Sequence, residues 1–287
     1  MKYWFMDQHR SCHGVKKMCR VIGASRSGYY RWEKEPQGKR REENEKILMK
    51  IKESHKNSNR SYGSPRITDE LRASGIQCGK HRIARIMKIH GIVAKAAKKF
   101  KATTNSKHNL PVAENLLNQN FKTEKPNMVW TSDITYVPTS EGWLYLAVVL
   151  DLYSRQVIGW AMSERLSSDF VIKALYHAIG RRKPGEGCIF HSDRGIQYAS
   201  LDFRDVLKDY CFIQSMSRKG NCYDNAVTES FFHTLKIEHV YDYWYETRAE
   251  ATQSIFEYIE MFYNRVRRHS ALGYCSPVSF ELKAMTS

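Results

Sequence analysis

Three acidic residues, Asp133, Asp193 and Glu229, fall on elements that could bring them together. Asp133 lies in a run of β-branched and aromatic residues that predicts a strand, and Asp193 ends a second, shorter strand. Glu229 follows on a helix, with 59 residues between the two aspartates and 35 between Asp193 and the glutamate. Carboxylate sets of this kind hold two Mg²⁺ ions roughly 4 Å apart, one activating an attacking water or 3′-hydroxyl and the other stabilising the leaving oxygen. The three residues therefore predict metal-assisted phosphoryl transfer.

The helix that carries Glu229 has two distinct sides on a helical wheel. The first side comprises Asn225, Glu229, Phe232, His233 and Lys236. The opposite side is expected to face the core and comprises Val227, Phe231, Thr234 and Leu235. Helix ion pairs join residues three or four apart, whereas Glu229 and Lys236 are two turns apart. The two could line one groove, with Glu229 binding a metal and Lys236 a phosphate; the alternative is a surface lysine on a solvated face.

The segment before this helix is a polar, glycine-containing loop, residues 217–222. Asp224 or Asn225 is a natural N-cap for the helix. The loop and the helix face supply predicted DNA contacts at Arg218, Lys219, Asn225 and His233.

Positive charge is concentrated in the first part of the chain. The net charge is +16, but residues 1–125 carry 29 Lys and Arg against 11 Asp and Glu, whereas residues 126–287 carry 17 against 19. Such asymmetry predicts a polyanionic partner for the N-terminal part. A basic surface kept for solubility does not easily explain why one end holds the whole excess.

Residues 15–33 predict two short helices joined by the turn Gly23-Ala-Ser25. This layout is that of a helix-turn-helix, whose second helix enters the major groove. Arg26 and Arg31 would then contact DNA. An ordinary helical hairpin accounts equally well for this stretch alone. A charged helix is predicted at 39–55.

A second basic helical unit is predicted after residue 56. Pro65 suits the first turn of a helix, and another helix follows at 80–90. Eight basic residues and no acidic one occur from 80 to 101. Those assigned to DNA backbone contact are Lys80, Arg82, Arg85, Lys88, Lys98 and Lys99. A solvated face is the alternative, although such faces usually mix charges of both signs.

From residue 128 the pattern changes to strands. Three successive strands are predicted at 128–138, 142–153 and 156–163. They are followed by a helix at 168–182, a strand ending at 193, a helix at 200–210 and a strand at 211–216. The second strand is apolar on both sides and is therefore central. The prediction is a mixed five-stranded sheet with helices on both faces. A long helix at 248–267 ends in basic residues, of which Arg267 and His269 either interact with the helix dipole or contact DNA.

Several motifs together resemble the transposases of bacterial insertion sequences, and among them the second-frame (OrfB-type) proteins of the IS-three family. They are Asp133-Ile-Thr-Tyr136, Gly142-Trp-Leu-Tyr-Leu146, Asp151-Leu-Tyr-Ser-Arg155, His191-Ser-Asp-Arg-Gly195, Tyr223-Asp-Asn-Ala226, Glu229-Ser-Phe-Phe232 and the tail from Tyr263-Asn264 to Ser276-Pro277. The resemblance covers nearly the whole chain. It puts the family's two aspartates and glutamate on Asp133, Asp193 and Glu229, and its following basic residue on Lys236.

The resemblance implies a ribonuclease-H-like α/β core with a retroviral-integrase-like catalytic centre, preceded by helix-turn-helix domains. It implies a DDE-type polynucleotidyl transferase that recognises insertion-sequence ends, cleaves their 3′ ends and joins them to target DNA with two Mg²⁺ ions, for which Mn²⁺ can substitute. The implied partners are double-stranded DNA, further copies of the chain on that DNA, and the first-frame (OrfA-type) protein or a fusion with it.

The resemblance also settles a choice between two aspartates for the first catalytic position. Asp151 ends a central strand and competes with Asp133, but the family's Asp-x-Thr-Tyr motif falls on Asp133. We therefore expect Asp151 to fix the turn that includes Ser154 and Arg155, and Asp224 to act as a helix cap.

The predicted domains are 1–55, a helix-turn-helix with the charged helix; 56–101, a second basic helix-turn-helix; 102–121, a linker with a short helical piece; and 122–287, the catalytic core. No apolar run is long enough to span a membrane, and no signal-peptide pattern follows the start. A bacterial cytoplasmic, nucleoid-associated protein is expected. Two other functions remain open: a DNA-binding regulator with an inactive core, and a ribonuclease-H-like nuclease without strand transfer.

Overall fold

The structure is a computed structural model that describes residues 1–34, 38–95, 110–219 and 222–286. The chain divides into two compact units, residues 1–57 with 62–93, and residues 58–61 with 94–287. No helix within the described ranges is both long and apolar enough to cross a membrane.

The first unit is helical. Its helices are α1 (Lys2–Gln8), α2 (Val15–Ile22), α3 (Arg26–Lys34), α4 (Gly38–Asn57), α5 (Ser64–Ala73) and α6 (Lys80–Ile89). Helix α2 ends at Gly23, whose φ of 62° lies in the left-handed region that glycine adopts readily. Met6, Met18 and Tyr29 pack together as a small core under α1, α2 and α3. The two short helices and their turn were predicted, whereas α1 was not.

Helix α4 packs with α5 and α6. Arg82 of α6 donates to Asn44 and Glu43 of α4 at 2.9 Å each. Ser54 of α4 donates to Glu70 of α5 at 2.7 Å. The three helices therefore form one group, which spans the boundary that the sequence predicts after residue 55.

The second unit is built on a five-stranded sheet. Its strands are β1 (Val129–Thr139), β2 (Gly142–Asp151), β3 (Val157–Ser163), β4 (Ile189–Ser192) and β5 (Ile213–Met216), in the spatial order β3-β2-β1-β4-β5. The β1–β2 and β2–β3 pairs are antiparallel, and the β1–β4 and β4–β5 pairs are parallel. This confirms the predicted mixed sheet. Strand β2 is central because both of its faces are apolar and buried.

Helices cover both faces of the sheet, as predicted. The helices of the second unit are α7 (Ser168–Arg182), α8 (Ile196–Ala199), α9 (Leu201–Asp209), α10 (Ala226–Glu238), α11 (Arg248–Glu257) and α12 (Pro277–Thr286). One core joins Trp130, Ala147 and Val149 of the sheet to α7, α8 and α9. The other joins Val148 and Leu150 to α10 and α11. The second core anchors α10, and with it Glu229, on the sheet.

Two local features differ from the sequence predictions. The short helix expected in the linker is absent from its described part, residues 110–121. The long helix predicted at 248–267 ends at Glu257 and continues as a π turn, Tyr258–Tyr263. Just after that turn, the Asn264 side chain donates to the Val157 carbonyl at 2.9 Å and accepts from its N–H at 3.0 Å. The wider turn thus places a side-chain amide where it satisfies the backbone of β3.

Candidate active site

Asp133 and Asp193 lie side by side on neighbouring parallel strands. Ser132 of β1 is in register with Ser192 of β4, and the two aspartates are the next residues along each chain. Strand β4 stops there, so from Asp133 onward β1 pairs only with β2 among the described strands. Beyond Ser192, no described strand pairs with this edge of β1, and Asp133 and Asp193 lie where the pairing ends.

Backbone N–H groups hold both carboxylates in place. Ile134 donates to Asp133 Oδ1 at 2.8 Å, and Gly195 donates to Asp193 Oδ1 at 2.9 Å. Both side chains are partly buried. Asp133 is positioned within β1 and Asp193 directly after the end of β4, which is why a strand prediction located them.

Helix α10 crosses the sheet face that Asp133 shares with Thr131, because alternate residues of a strand point to the same face. Thr228 of α10 bonds to Thr131 at 2.9 Å, and Asn225 donates its side-chain amide to the Ser132 carbonyl at 3.2 Å. These two bonds lock the start of α10 onto β1. Glu229, the next residue along, remains exposed at the site.

The carboxylates are close enough to influence each other's ionisation. Burial raises the pKa of Asp133 well above its usual value, and the negative charges of Asp193 and Glu229 raise it further. Burial and the charge of Asp193 also raise the pKa of Glu229. Like charges held together in this way favour the protonated forms. A bound cation would relieve that repulsion.

The donor set fits a hard divalent cation, which prefers carboxylate oxygens. In the part of the chain that the structure describes, however, no three His, Cys, Asp or Glu side chains stand close enough around one point to hold a metal ion. The three carboxylates are therefore within electrostatic range of one another but do not surround a common point. Asp133 and Asp193 are held by the backbone, so the exposed Glu229 is the member free to adjust.

Lys236 lies inside the site. It is 5 % exposed, and its Nζ lies 4.8 Å from the centroid of the Tyr136 ring. Burial lowers its pKa to about 8, although the charge of Asp133 acts in the opposite direction. A solvated surface lysine, the alternative suggested by the helical wheel, does not fit this burial. Phe232, placed on the same side of the helix by the wheel, is also buried.

Asp224 does not cap α10 as predicted. It is fully buried, and its carboxylate accepts two side-chain bonds from Arg218, at 3.0 and 2.9 Å, and one from the Arg218 N–H at 2.8 Å. Asn115 and Gln119 donate to it at 2.9 and 3.0 Å. These bonds hold the pKa of Asp224 far below its usual value. Asp224 therefore fastens the segment that enters the core to the segment that precedes α10.

Two of the predicted DNA contacts in the core do not fit their surroundings. Asn225 is buried, and its amide is used by Ser132 and Thr228. Arg267 is 4 % exposed and forms an ion pair with Glu238, with both bonds at 2.7 Å. Both side chains are occupied within the protein.

The other predicted contacts vary in accessibility. Arg218 is half-exposed but paired with Asp224, and His269 packs its ring edge-on against Tyr263. Arg82 is held by α4. Lys98 and Lys99 lie outside the described residues. The exposed ones are Arg26, Arg31, Lys80, Arg85, Lys88, Lys219 and His233.

Asp151 fixes a turn, as expected. It is fully buried, and its carboxylate accepts the N–H groups of Asn127 and Tyr153 at 2.9 Å each. The Arg155 N–H donates to the Asp151 carbonyl at 2.8 Å. Burial raises the pKa of the carboxyl to about 6.

Tyr198 is a neighbour of the site that the sequence prediction missed. Its hydroxyl lies 2.8 Å from Ser132 Oγ, and the ring is fully buried beneath the strand ends. Burial raises its pKa well above the usual value, and the charges of Asp133 and Asp193 add to that shift. Its place five residues after Asp193, at the end of a short helix, was the only available signal.

Comparison with known proteins identifies both parts of the chain. The integrase core domain family matches residues 123–222 and again 229–285, and the HTH-like domain family matches residues 42–100. The latter match covers most of α4 and all of α5 and α6, the three helices that pack together. The helix pair at 15–34 lies outside it, so DNA contact by Arg26 and Arg31 stays a prediction.

Solved structures of retroviral integrases are similar to the chain at low identity. A simian T-cell lymphotropic virus intasome, solved with the PP2A regulatory subunit B56 gamma, covers 80 % of this chain and 74 % of its own, with a TM-score of 0.48 and 16 % identity. The HTLV-2 integrase catalytic core domain, solved with magnesium, covers 54 % of this chain and 97 % of its own, with a TM-score of 0.43 and 17 % identity.

Two relatives match at much higher identity. An uncharacterized 31 kDa protein of insertion element IS600 from Shigella sonnei is 48 % identical over 266 residues, 93 % of this chain and 98 % of that protein. The transposase InsF for insertion sequence IS3A from Escherichia coli K12 is 44 % identical over 285 residues, 99 % of both chains. A full-length match at this identity to a transposase excludes a regulator or a simple nuclease as the family of this chain. The chain belongs to the IS3 (IS-three) family of insertion-sequence transposases, DNA-joining polynucleotidyl transferases with an integrase core.

Proposed function

We propose that Asp133, Asp193 and Glu229 are the DDE triad of this transposase and hold two Mg²⁺ ions, with Mn²⁺ as a substitute. The observation that supports this most directly is the shared electrostatics of the three carboxylates at the end of β4. Bound there, the ions would activate a water or a 3′-hydroxyl and stabilise the leaving oxygen. Magnesium is also the ion with which the HTLV-2 integrase core was solved.

The protein groups have distinct tasks in this proposal. Asp133 and Asp193 provide fixed oxygens because backbone N–H groups orient them. Glu229 completes the set from a helix and closes toward them when a cation offsets the repulsion. Lys236 binds the phosphate next to the scissile bond as a point charge. In-line attack by water and then by a 3′-hydroxyl requires no protein nucleophile.

Metal binding can be measured without catalysis. Adding Mg²⁺ or Mn²⁺ to the full chain is expected to raise its melting temperature, because a ligand that binds only the folded state stabilises it. Asp193→Asn should reduce that rise strongly, whereas Asp209→Asn, a change at an exposed residue of α9, should leave it intact. Equal metal-induced shifts in wild type and Asp193→Asn would remove Asp193 from the metal site.

Lys236 gives a second prediction. Lys236→Ala should weaken strand transfer and change which phosphate is engaged, with little effect on metal affinity, because a protonated amine is not a metal ligand. Lys236→Arg should keep much of the activity, since charge and reach persist.

The pH dependence of joining distinguishes wild type from Lys236→Arg. The ammonium of Lys236 loses its proton as the pH rises through about 8. Wild-type joining should therefore decline there relative to Lys236→Arg, whose guanidinium stays charged. Identical joining and identical pH profiles for wild type, Lys236→Ala and Lys236→Arg would show that this side chain has no role in positioning DNA.

The N-terminal part is proposed to supply most of the DNA affinity, through exposed basic residues such as Lys80, Arg85 and Lys88. A fragment of residues 1–121 should bind DNA with a steep salt dependence, since each neutralised phosphate adds about 0.9 to the log–log slope. Residues 122–287 carry no excess of basic residues and should bind weakly. The same affinity and slope for both fragments would argue against this division.

The partners follow from the reaction. Double-stranded insertion ends and target DNA are the substrates, and several copies of the chain are expected to act together on that DNA, because two ends must be joined to one target. A first-frame (OrfA-type) protein, separate or fused, is proposed as a further partner, with the reaction taking place on the nucleoid in the bacterial cytoplasm.

A further inference from the structure

Aromatic rings crowd the sheet surface just beyond the candidate active site. Residues directly opposite on antiparallel strands point to the same face. Tyr136 of β1 is opposite Tyr145 of β2, and Pro138 is opposite Trp143. One face at the β1–β2 end therefore presents Tyr136, Tyr145 and Trp143, which we term the aromatic platform.

The helices that cover this face do not enclose the platform. Ile134 and Tyr145 still pack partly against the core under α7, α8 and α9. Trp143, two residues before Tyr145 on β2, lies beyond these helices and is 50 % exposed. The ring centroids of Tyr136 and Trp143 lie 4.8 Å apart, and the rings meet edge to face. A large flat indole is thus held in a fixed orientation at the surface.

The platform begins at the candidate active site, where one of its rings meets a lysine. Lys236, which interacts with Asp133, sits over the Tyr136 ring at 4.8 Å. At the other end Arg248 donates to the Trp143 carbonyl at 3.2 Å and forms an ion pair with Glu164 at 3.5 Å, which offsets its charge. An occupant of the platform would therefore meet an aromatic surface with the Lys236 ammonium at its inner end.

A single exposed tryptophan needs no explanation in most proteins. Here the exposed ring belongs to a cluster that touches the strand carrying Asp133 and ends at the Lys236 ammonium, in a DNA-joining enzyme. Aromatic rings beside positive charge bind unpaired nucleotides, with the bases stacking on the rings and the phosphates meeting the cations. In a duplex the faces of a base are already covered by its neighbours, so only an unstacked or terminal base can use such a ring.

We propose that the aromatic platform binds an unpaired base of the DNA on which the enzyme acts, with Trp143 as the stacking surface and Tyr136 as its support. The proposal depends on the proposed triad in one respect only, because the triad determines where the reacting DNA strand leaves the active site. A frayed or extended end would be held open at the reacting phosphate, and the platform would favour ends that open readily.

The test uses the full chain and short duplexes that are either blunt or carry a single-stranded extension containing 2-aminopurine, whose fluorescence falls on stacking. Wild type should quench the probe in the extension and prefer extended over blunt DNA. Trp143→Leu should remove most of the quenching and reduce that preference about tenfold, the scale of one stacked base. Trp143→Phe keeps a ring and should retain much of both.

The matched control is Tyr176→Leu, which removes an exposed aromatic ring of α7 that pairs with Tyr210, on another part of the core. It should behave as wild type. Unchanged quenching and preference in Trp143→Leu would overturn the proposal. So would a shift of oligomeric state in Trp143→Leu without loss of quenching, because the ring would then be a contact between copies of the chain.

Failure of the platform and failure of the triad give different results. Asp193→Asn should keep the quenching and the preference for extended ends, since it leaves all three rings in place. If Asp193→Asn still cleaves DNA, the triad is wrong but the quenching test of Trp143 stands. If Trp143→Leu quenches normally while Asp193→Asn is inactive, the platform is wrong and the triad stands.

Discussion

Replacing Asp133 with asparagine is expected to abolish end cleavage and strand transfer while making the metal-free protein more stable. The variant keeps the shape of the side chain but loses the charge that a metal ion would bind. A loss of about a thousandfold or more in rate is expected, because metal sites supply several kcal/mol of transition-state stabilisation. DNA binding should persist, since Asp133 contributes no positive charge.

The gain in stability follows from the raised pKa of Asp133. An unfolded aspartate titrates near pH 4. Because the folded pKa is higher, the folded state binds the proton more tightly, and stability falls as the pH rises from about 4 to the folded pKa. At neutral pH the wild type therefore carries a penalty that Asp133→Asn does not. A rise of a few degrees in melting temperature is expected for a unit of this size.

Thermal unfolding in a chelator at pH 7 and at pH 4 measures this effect. The melting temperatures of Asp133→Asn and wild type should differ at pH 7 and converge at pH 4. Asp209→Asn on the surface of α9 provides the matched control, with unchanged activity. Mg²⁺-dependent cleavage retained by Asp133→Asn would exclude Asp133 from the triad, whatever its stability.

Replacing Arg267 with alanine is expected to cause a large loss of stability. Its guanidinium binds Glu238 through two bonds of 2.7 Å, and the Tyr258 hydroxyl donates to the same carboxylate at 3.1 Å. This cluster joins the end of α10 to the chain after the π turn. Arg267→Ala leaves Glu238 buried without its counter-ion, which typically costs about 3–5 kcal/mol. The melting temperature should fall by about 10 °C.

Two controls show whether burial of the charge is the cause. Arg265→Ala, two residues earlier and exposed, should leave the melting temperature nearly unchanged. Replacing both partners, as in Arg267→Met with Glu238→Leu, should recover much of the loss, because well-packed apolar residues can substitute for a buried ion pair. If Arg267→Ala melted like wild type and bound DNA more weakly, the role first predicted for this residue, contact with DNA, would be correct after all.

The strands and their order of appearance could be predicted because their pattern is local. The apolar residues on both sides of β2 and the short run before Asp193 are visible in the sequence, and the sheet follows from them. The positions of Asp133 and Asp193 follow in turn, since both depend on where a strand runs or ends. Glu229 could be placed on its helix for the same reason.

Long-range partners could not be predicted in this way. The helical wheel indicates which side of α10 carries Lys236, but not that Tyr136 covers it. Likewise the sequence places Arg267 as a cation at a helix end, and only the structure shows that it pairs with Glu238, 29 residues away. Asp224 was predicted to be a cap because two of its partners, Asn115 and Gln119, lie more than a hundred residues upstream. Such pairings are set by tertiary packing, and no local pattern encodes them.

The most direct test of the catalytic account is a strand-transfer assay with a labelled insertion end, with and without divalent metal, in which the reacting end carries either a 3′-hydroxyl or a 3′-deoxy terminus. Joined products are expected only with metal and the 3′-hydroxyl, and none from Asp133→Asn, Asp193→Asn or Glu229→Gln. Joining without divalent metal, joining by any of the three variants, or nicking with no joined product from the wild type would contradict the account.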